Sequence, residues 1–167
     1  MIEVKNIYKS FNKTQVLNKI DTIFYRGKTN LIIGQSGSGK TVLLKCLLGL
    51  YEVDLGEILY DGISSKNMGI NEKLEISRQM GMVFQGSALF DSMNVLENVR
   101  FPLDMLTEID ENEKNERALK FIERVNLKDA IEKLPSELSG GMQKRVAIAR
   151  AIVLNPKYLF CDEPNSG

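Results

Sequence analysis

The stretch Gly34-Gln35-Ser36-Gly37-Ser38-Gly39-Lys40-Thr41 decides how the rest of this chain is read. It fits G-x-x-x-x-G-K-[ST] at every specified position. The glycines let the backbone curl until successive N–H groups converge on phosphate oxygens. A helix that follows directly presents its positive end to the same anion. Lys40 carries a point charge to the terminal phosphates, and the Thr41 hydroxyl is a ligand for Mg²⁺. The surroundings agree with this reading. "TNLIIG" is expected as a short apolar strand before the loop. "SGSGKTVLLKCLLGL" is expected to turn into a helix whose apolar face holds Val42, Leu43, Leu44, Leu47 and Leu48. Residues 34–41 together with Val42 are therefore the expected contacts to a nucleoside triphosphate. A Gly/Ser-rich turn that only caps a helix would not need the whole motif.

The last stretch, "KYLFCDEPNSG", extends the argument. An expected buried strand runs into Asp162, a carboxylate suited to the Mg²⁺ shell. Glu163 beside it is placed to orient or deprotonate an attacking water. Without the phosphate loop, an acid pair at a strand end would read as solvent-facing. With the loop, it reads as the second half of one site.

Composition narrows the remainder. The 167 residues suffice for one domain with a sizeable core. Lys plus Arg and Asp plus Glu both count 22, so the formal net charge is zero and nothing draws the chain generally toward nucleic acid. The two cysteines, Cys46 and Cys161, form no metal-ligand spacing and read as buried reduced thiols, a disulfide being the less favoured option. Histidine is absent, which removes the commonest general base and metal ligand. No apolar run approaches the ~20 residues of a membrane span, and the expectation is a cytoplasmic protein.

Read along the chain, the first third is strands and turns. "IEVKNIY" alternates apolar and polar residues, "VLNKIDTIFY" continues in the same style, and "GEILYDG" is bounded by glycines. The middle is helical: Ala118, Phe121, Ile122 and Val125 fall at helical spacing, with acids in the first turns. Met142, Val146, Ala149 and Ile152 mark a later helix that ends before Pro156. A β-rich start, a helical middle and a return to strand suggest an α/β domain with a helical insertion.

Between the two phosphate-site motifs lies Leu138-Ser139-Gly140-Gly141-Met142-Gln143, followed by "KRVAIARAI". This resembles the LSGGQ signature of ABC-type ATPases, and Ser139, Gly140 and Gly141 would open a helix toward an anion. A simple N-cap at Ser139 is the plainer alternative. The resemblance covers nearly the whole chain. It implies an α/β P-loop NTPase, a RecA-like core with an N-terminal antiparallel β part and a helical insertion. Residues 1–85 and 150–167 would form the ATPase core, and residues 86–149 the helical subdomain. It further implies ATP and Mg²⁺ as cofactors, with Gln85 joining Thr41 and Asp162 around the metal. Phe11 would stack on adenine with Val16 packing nearby; Tyr8 is the alternative stacking residue, and core packing is an option for both rings. The implied partners are a second ATPase subunit, bound head to tail, and a transmembrane permease that contacts residues 87–98.

A narrower likeness, in "FQGSALFDSMNVLENVRFPL" and "DEPNSG", is to ATPases of Mla/Mce-type phospholipid transporters. That implies an ATP-hydrolysing subunit working on the cytoplasmic face of the inner membrane, with Glu163 and Lys40 as its catalytic residues. Two departures stand out. The sequence stops inside the D-loop at Ser166-Gly167, and it lacks the switch histidine that the family carries on a later strand. The expectation is therefore a cassette cut short, with a gap in its sheet and impaired hydrolysis. A soluble ABC-type ATPase of translation or DNA repair, or a non-catalytic nucleotide-binding fragment, are the rival readings.

Overall fold

Strand β1 (Ile2–Phe11) buries Ile2, Val4 and Ile7, so its alternation changes parity between Val4 and Ile7. The cause is an irregularity in the pairing with β2 (Thr14–Phe24), where Asn6 takes a φ of 48°. The hairpin closes through Asn12 and Lys13, both with positive φ, which suits a two-residue turn between twisted antiparallel strands. On its other side β1 pairs with β3 (Leu55–Tyr60), and β3 pairs with β4 (Ile63–Ser64), giving the antiparallel order β2-β1-β3-β4. Gly56 lies within β3, not at its boundary, and its identity is set by crowding. A Cβ there would come within 2.1 Å of the Asn6 carbonyl oxygen.

This computed structural model describes residues 1–163. The chain packs as two units, Met1–Ser77 and Arg78–Gly167. In the first, helix α1 (Lys40–Leu47) buries Leu43, Leu44, Cys46 and Leu47. It ends at Gly49, whose φ of 72° lets the N–H groups of Leu50 and Tyr51 turn back to the Lys45 carbonyl. Helix α2 (Ile70–Arg78) buries none of its residues.

The second unit is built on α3 (Val95–Leu106), α4 (Glu111–Arg124) and α5 (Gly140–Ile152). Their facing stripes, among them Val95, Val99, Leu103, Ala118, Phe121, Ile122, Val146 and Ala149, make one apolar cluster. Each of the larger side chains, valine, leucine, isoleucine or phenylalanine, contributes about 1.5–3 kcal/mol on full burial. The spacing expected for α4 and α5 is the spacing observed, with Val125, Met142 and Ile152 packed at the margin of the cluster. Helix α3 begins with a reciprocal cap: Asn94 accepts from the Glu97 N–H, and Glu97 accepts from the Asn94 N–H. Beside the helices, β5 (Met80–Val83) and β6 (Tyr158–Cys161) form a parallel pair with Met80 opposite Tyr158 and Val83 opposite Cys161. A Cβ on Gly81 would lie 2.2 Å from the Ala151 carbonyl, so glycine lets the end of α5 approach β5.

Three expectations need correcting. Residues 29–34 form no strand; Leu31 and Ile33 are 79% and 84% exposed. An apolar run becomes a strand only where a neighbour accepts its hydrogen bonds and covers it, and no described strand pairs with this one. β6 forms but is not fully buried: Leu159 is 50% exposed, because β6 has a strand on one side only among the described residues. Cys161, on the same face, is exposed as well; only Cys46 is a buried thiol, and both are free.

Candidate functional site

The phosphate loop curls as its glycines allow. Gly37 and Gly39 take φ values of 77° and 94°, and the Ser38 N–H closes a turn onto the Gln35 carbonyl at 3.2 Å. A Cβ on Gly39 would sit 3.1 Å from Val16 Cγ1, so the loop is seated against β2 through a residue named in the sequence. A Cβ on Gly34 would meet Ser38 Oγ at 2.7 Å, whereas nothing lies within 4 Å of the Cβ position of Gly37. The loop is thus tight at its two ends and open at its middle. Lys40 Nζ donates to the Gly34 and Gln35 carbonyls at 2.9 and 3.0 Å. Its ammonium therefore already lies over the loop. Ser36 and Thr41 are exposed and Val42 is half-buried. A curled, open backbone with a cation folded across it fits a polyphosphate.

Phe11 ends β1 and is 37% exposed. Its ring meets Tyr51 at a centroid distance of 5.3 Å in an edge-to-face arrangement, and Lys9 Nζ lies 5.4 Å from its centroid. Lys9 in turn donates to Asp54 Oδ1 at 2.9 Å, while the Ser10 N–H donates to Asp54 Oδ2 at 2.7 Å. These contacts hold the Asp54 carboxyl below the usual range, the Lys9 hydrogen bond first and the Ser10 N–H next. Tyr8, the alternative stacking residue, is half-buried.

In the second unit the pairing of β5 with β6 is followed, beyond the strand ends, by one backbone and one side-chain hydrogen bond. Asp162 is buried and its N–H donates to the Val83 carbonyl at 3.0 Å. One step further, Gln85 Nε2 donates to Glu163 Oε2 at 3.1 Å. Gln85 and the adjacent pair Asp162 and Glu163, far from it in sequence, are thus brought together at the paired ends of β5 and β6. Ser139 caps α5, its hydroxyl accepting from the Met142 N–H at 3.3 Å. Gly140 and Gly141 are exposed, with open space at both Cβ positions, and as first-turn residues their N–H groups have no acceptor within the helix. The phosphate loop belongs to the first unit, and Gln85, Asp162, Glu163 and the Ser139 turn belong to the second. Residues 164–167, including Ser166 and Gly167 of the D-loop start, lie outside the described residues.

The loop after Gln85, expected from the sequence only as a permease contact over residues 87–98, holds an internal structure that sequence reasoning passed over. Gly86, Ser87 and Ala88 all have positive φ. Arg150 of α5 donates to the Ser87 carbonyl at 3.0 Å and sits 5.7 Å from the Phe90 ring centroid. Burial pushes the Arg150 guanidinium below its ordinary range. Asn98 is fully buried; its side chain accepts from the Phe90 N–H at 2.9 Å and donates to the carbonyls of Phe90, Met93 and Asn94. The signal available was a polar residue on the Val95–Val99 face of an amphipathic helix. Next to this loop, Met82, Phe84, Phe90, Phe101, Pro102 and Arg150 help line a groove of about 260 Å³.

For a metal, Thr41, Gln85 and Asp162 offer hydroxyl, amide and carboxylate oxygens, the hard donors that Mg²⁺ takes. The donor set fits.

Residues 17–166 match the family model described as "ABC transporter". Among curated relatives, the Glutamine transport ATP-binding protein GlnQ of Escherichia coli K12 is 42% identical over 99% of this chain and 69% of its own length. The Intermembrane phospholipid transport system ATP-binding protein MlaF of Haemophilus influenzae is 40% identical, over 100% of this chain and 63% of its own. Against GlnQ, MlaF and the Mycobacterium bovis protein mkl this chain spans from 46% to 69% of the relative's length. The ATP-binding cassette MJ0796, solved as a dimer in a post-hydrolysis state with ADP and Pi, superimposes with a TM-score of 0.88 at 32% identity, over 99% of this chain and 75% of that one. The loop, the strand-end carboxylates, the capped signature turn and these matches converge: the chain belongs to the ABC transporter family, an α/β P-loop cassette of ATPases whose cofactors are ATP and Mg²⁺.

Proposed function

We propose that the protein is the ATP-hydrolysing subunit of an ABC transporter. The observation that carries this reading is the phosphate loop, where Lys40 lies across the Gly34 and Gln35 carbonyls beside an open Gly37. The loop amides and Lys40 bind the β- and γ-phosphates, and Val42 contributes to the nucleotide contact. Phe11, with Val16 beside it, stacks on the base. Thr41, Gln85 and Asp162 supply ligands to Mg²⁺, which when bound neutralises charge on the transferred phosphoryl group. Glu163 accepts the proton of the attacking water, and the Gln85 amide holds its carboxylate in place.

Two cassettes pair head to tail in this reading, so that Ser139, Gly140 and Gly141 of one meet the phosphates held by the other. The dimeric state of MJ0796 supports this. Residues 86–149 form the helical subdomain, and the loop 87–98 with its apolar groove receives a permease segment. The work is done at the cytoplasmic face of a membrane; among the described residues no helix is long and apolar enough to cross one. The cargo we propose is a phospholipid. MlaF is similar over the whole chain, and the wording of residues 85–98 agrees. The similarity to GlnQ favours a polar amino acid instead.

Mg²⁺-dependent ATP binding and phosphate release, measured for the protein and for Lys40→Ala, test the core of the reading. Loss of both in the variant is expected; binding that persists in Lys40→Ala would overturn it. Cargo is tested by reconstituting the ATPase with its co-purifying permease in vesicles and comparing stimulation by phospholipid and by glutamine.

A further inference from the structure

We propose that Lys9 is a specificity-determining residue of the base site, giving purine nucleotides an advantage by placing a held cation over the Phe11 ring. The inference rests on the reading of Phe11 as the base-stacking residue and adds what sets its preference. The faces of a benzene ring are electron-rich, and so are the faces of a purine, so direct stacking works against itself unless the rings are offset. A cation over the ring draws on its electron density and offsets that repulsion.

The arrangement around Phe11 is built to keep the cation there. Lys9 and Phe11 lie two apart near the end of β1, and the Lys9 side chain reaches the Phe11 ring. Lys9 Nζ lies 5.4 Å from the ring centroid while donating to Asp54 at 2.9 Å. Asp54 is itself tied to β1 on both sides of Lys9: its N–H donates to the Tyr8 carbonyl at 2.8 Å, and its second oxygen accepts from the Ser10 N–H at 2.7 Å. A free lysine would sample many rotamers; this one has an acceptor clamped to its own strand. Tyr51, edge-to-face against Phe11, limits rotation of the ring, and Tyr51 is held by the reversal of chain after α1, its N–H reaching the Lys45 carbonyl at 3.2 Å. The helix that begins at the phosphate loop therefore ends in the prop for the base-side ring. None of these partners belongs to the phosphate loop, so the effect is confined to the base.

The test compares the affinities of ATP, CTP and inorganic tripolyphosphate, each with Mg²⁺, for the protein, Lys9→Met and Lys9→Arg, by titration calorimetry. Lys9→Met keeps the aliphatic stem and removes the charge. The expected result is a loss of about fivefold for ATP, a smaller loss for CTP, no change for tripolyphosphate, and recovery of ATP affinity in Lys9→Arg. Unchanged ATP affinity, equal losses for ATP and CTP, or a loss for tripolyphosphate would each overturn the proposal. If the unaltered protein bound tripolyphosphate but ATP no tighter, the base site would be refuted and the phosphate loop retained. If it bound none of the three, the functional reading would fall, and this inference with it.

Discussion

The Gln85 side chain donates its amide proton to the Glu163 carboxylate at 3.1 Å, across 78 residues of chain. The parallel pair ends with Val83 opposite Cys161, and just beyond those strand ends the two side chains reach each other. In the role proposed for Glu163 a carboxylate takes a proton from water and needs a fixed orientation, for which the Gln85 bond is suited. Glu163→Gln is expected to leave ATP affinity within about twofold and to lower phosphate release by about 10²–10⁴-fold, the usual range for a general base. Equal release rates in variant and parent would remove Glu163 from that role.

Lys40 makes two hydrogen bonds to loop carbonyls and is not part of the apolar core. Lys40→Ala should weaken ATP by about 100-fold or more, since charge-assisted bonds to phosphate contribute roughly 1.5–3 kcal/mol each. Its melting temperature in the absence of nucleotide should stay close to the parent value.

Gly81 faces the Ala151 carbonyl at a distance no side chain can share. Gly81→Ala must push the end of α5 from β5, and a cost of about 3 kcal/mol is expected for such overpacking. Urea denaturation followed by the fluorescence of a probe on the helical unit would register it as a lower midpoint.

Asn98 satisfies four backbone groups of the loop that precedes α3. Asn98→Leu would keep the volume and leave the Phe90 N–H and the Met93 carbonyl without their side-chain partner, at about 1 kcal/mol or more apiece, while the Phe90 and Asn94 carbonyls keep the backbone N–H groups of Met93 and of position 98. Limited proteolysis should cut between residues 86 and 94 in this variant while the parent resists.

The Lys9–Asp54 pair carries a pH signature. The Asp54 carboxyl is lowered from 3.8, so its contribution is complete above that value and is lost as pH falls through the folded pKa. Lys9 is raised from 10.5, its hydrogen bond to Asp54 being the main cause, so its contribution is complete below 10.5 and is lost as pH rises through the folded pKa. The difference in melting temperature between the parent and Asp54→Asn should be flat from about pH 5 to pH 9 and shrink toward strong acid.

How much of this was legible in the sequence depended on the reach of each interaction. The phosphate loop could be read because its geometry is fixed by eight consecutive residues and their φ preferences. Helices α4 and α5 could be read because periodicity is local, and Ser139 was correctly available as an N-cap. Residues 29–34 were misread: "NLIIG" has the composition of a strand, but a strand exists only with a neighbour, and composition does not name one. The burial of β6 was overestimated for the same reason. Asn98, Arg150, Lys9 and Tyr51 escaped notice because each acts through a partner on another element, and a lone polar or aromatic residue does not announce which one. Gln85 and Glu163 were each named from motifs, yet their direct contact became visible only with the register of β5 and β6.

That register also sets an order of assembly. Strands β5 and β6 run parallel, so a hairpin cannot join them, and helices α3, α4 and α5 all lie in the connection. Closing so long a loop costs entropy before the pairing returns anything. The expected order is therefore the helical layer first, with the carboxylate and its amide partner meeting last. A nascent chain holds its phosphate loop, complete by residue 41, long before it has the means to spend ATP. Hydrogen exchange during refolding should accordingly protect the amides of α4 and α5 ahead of those in β6.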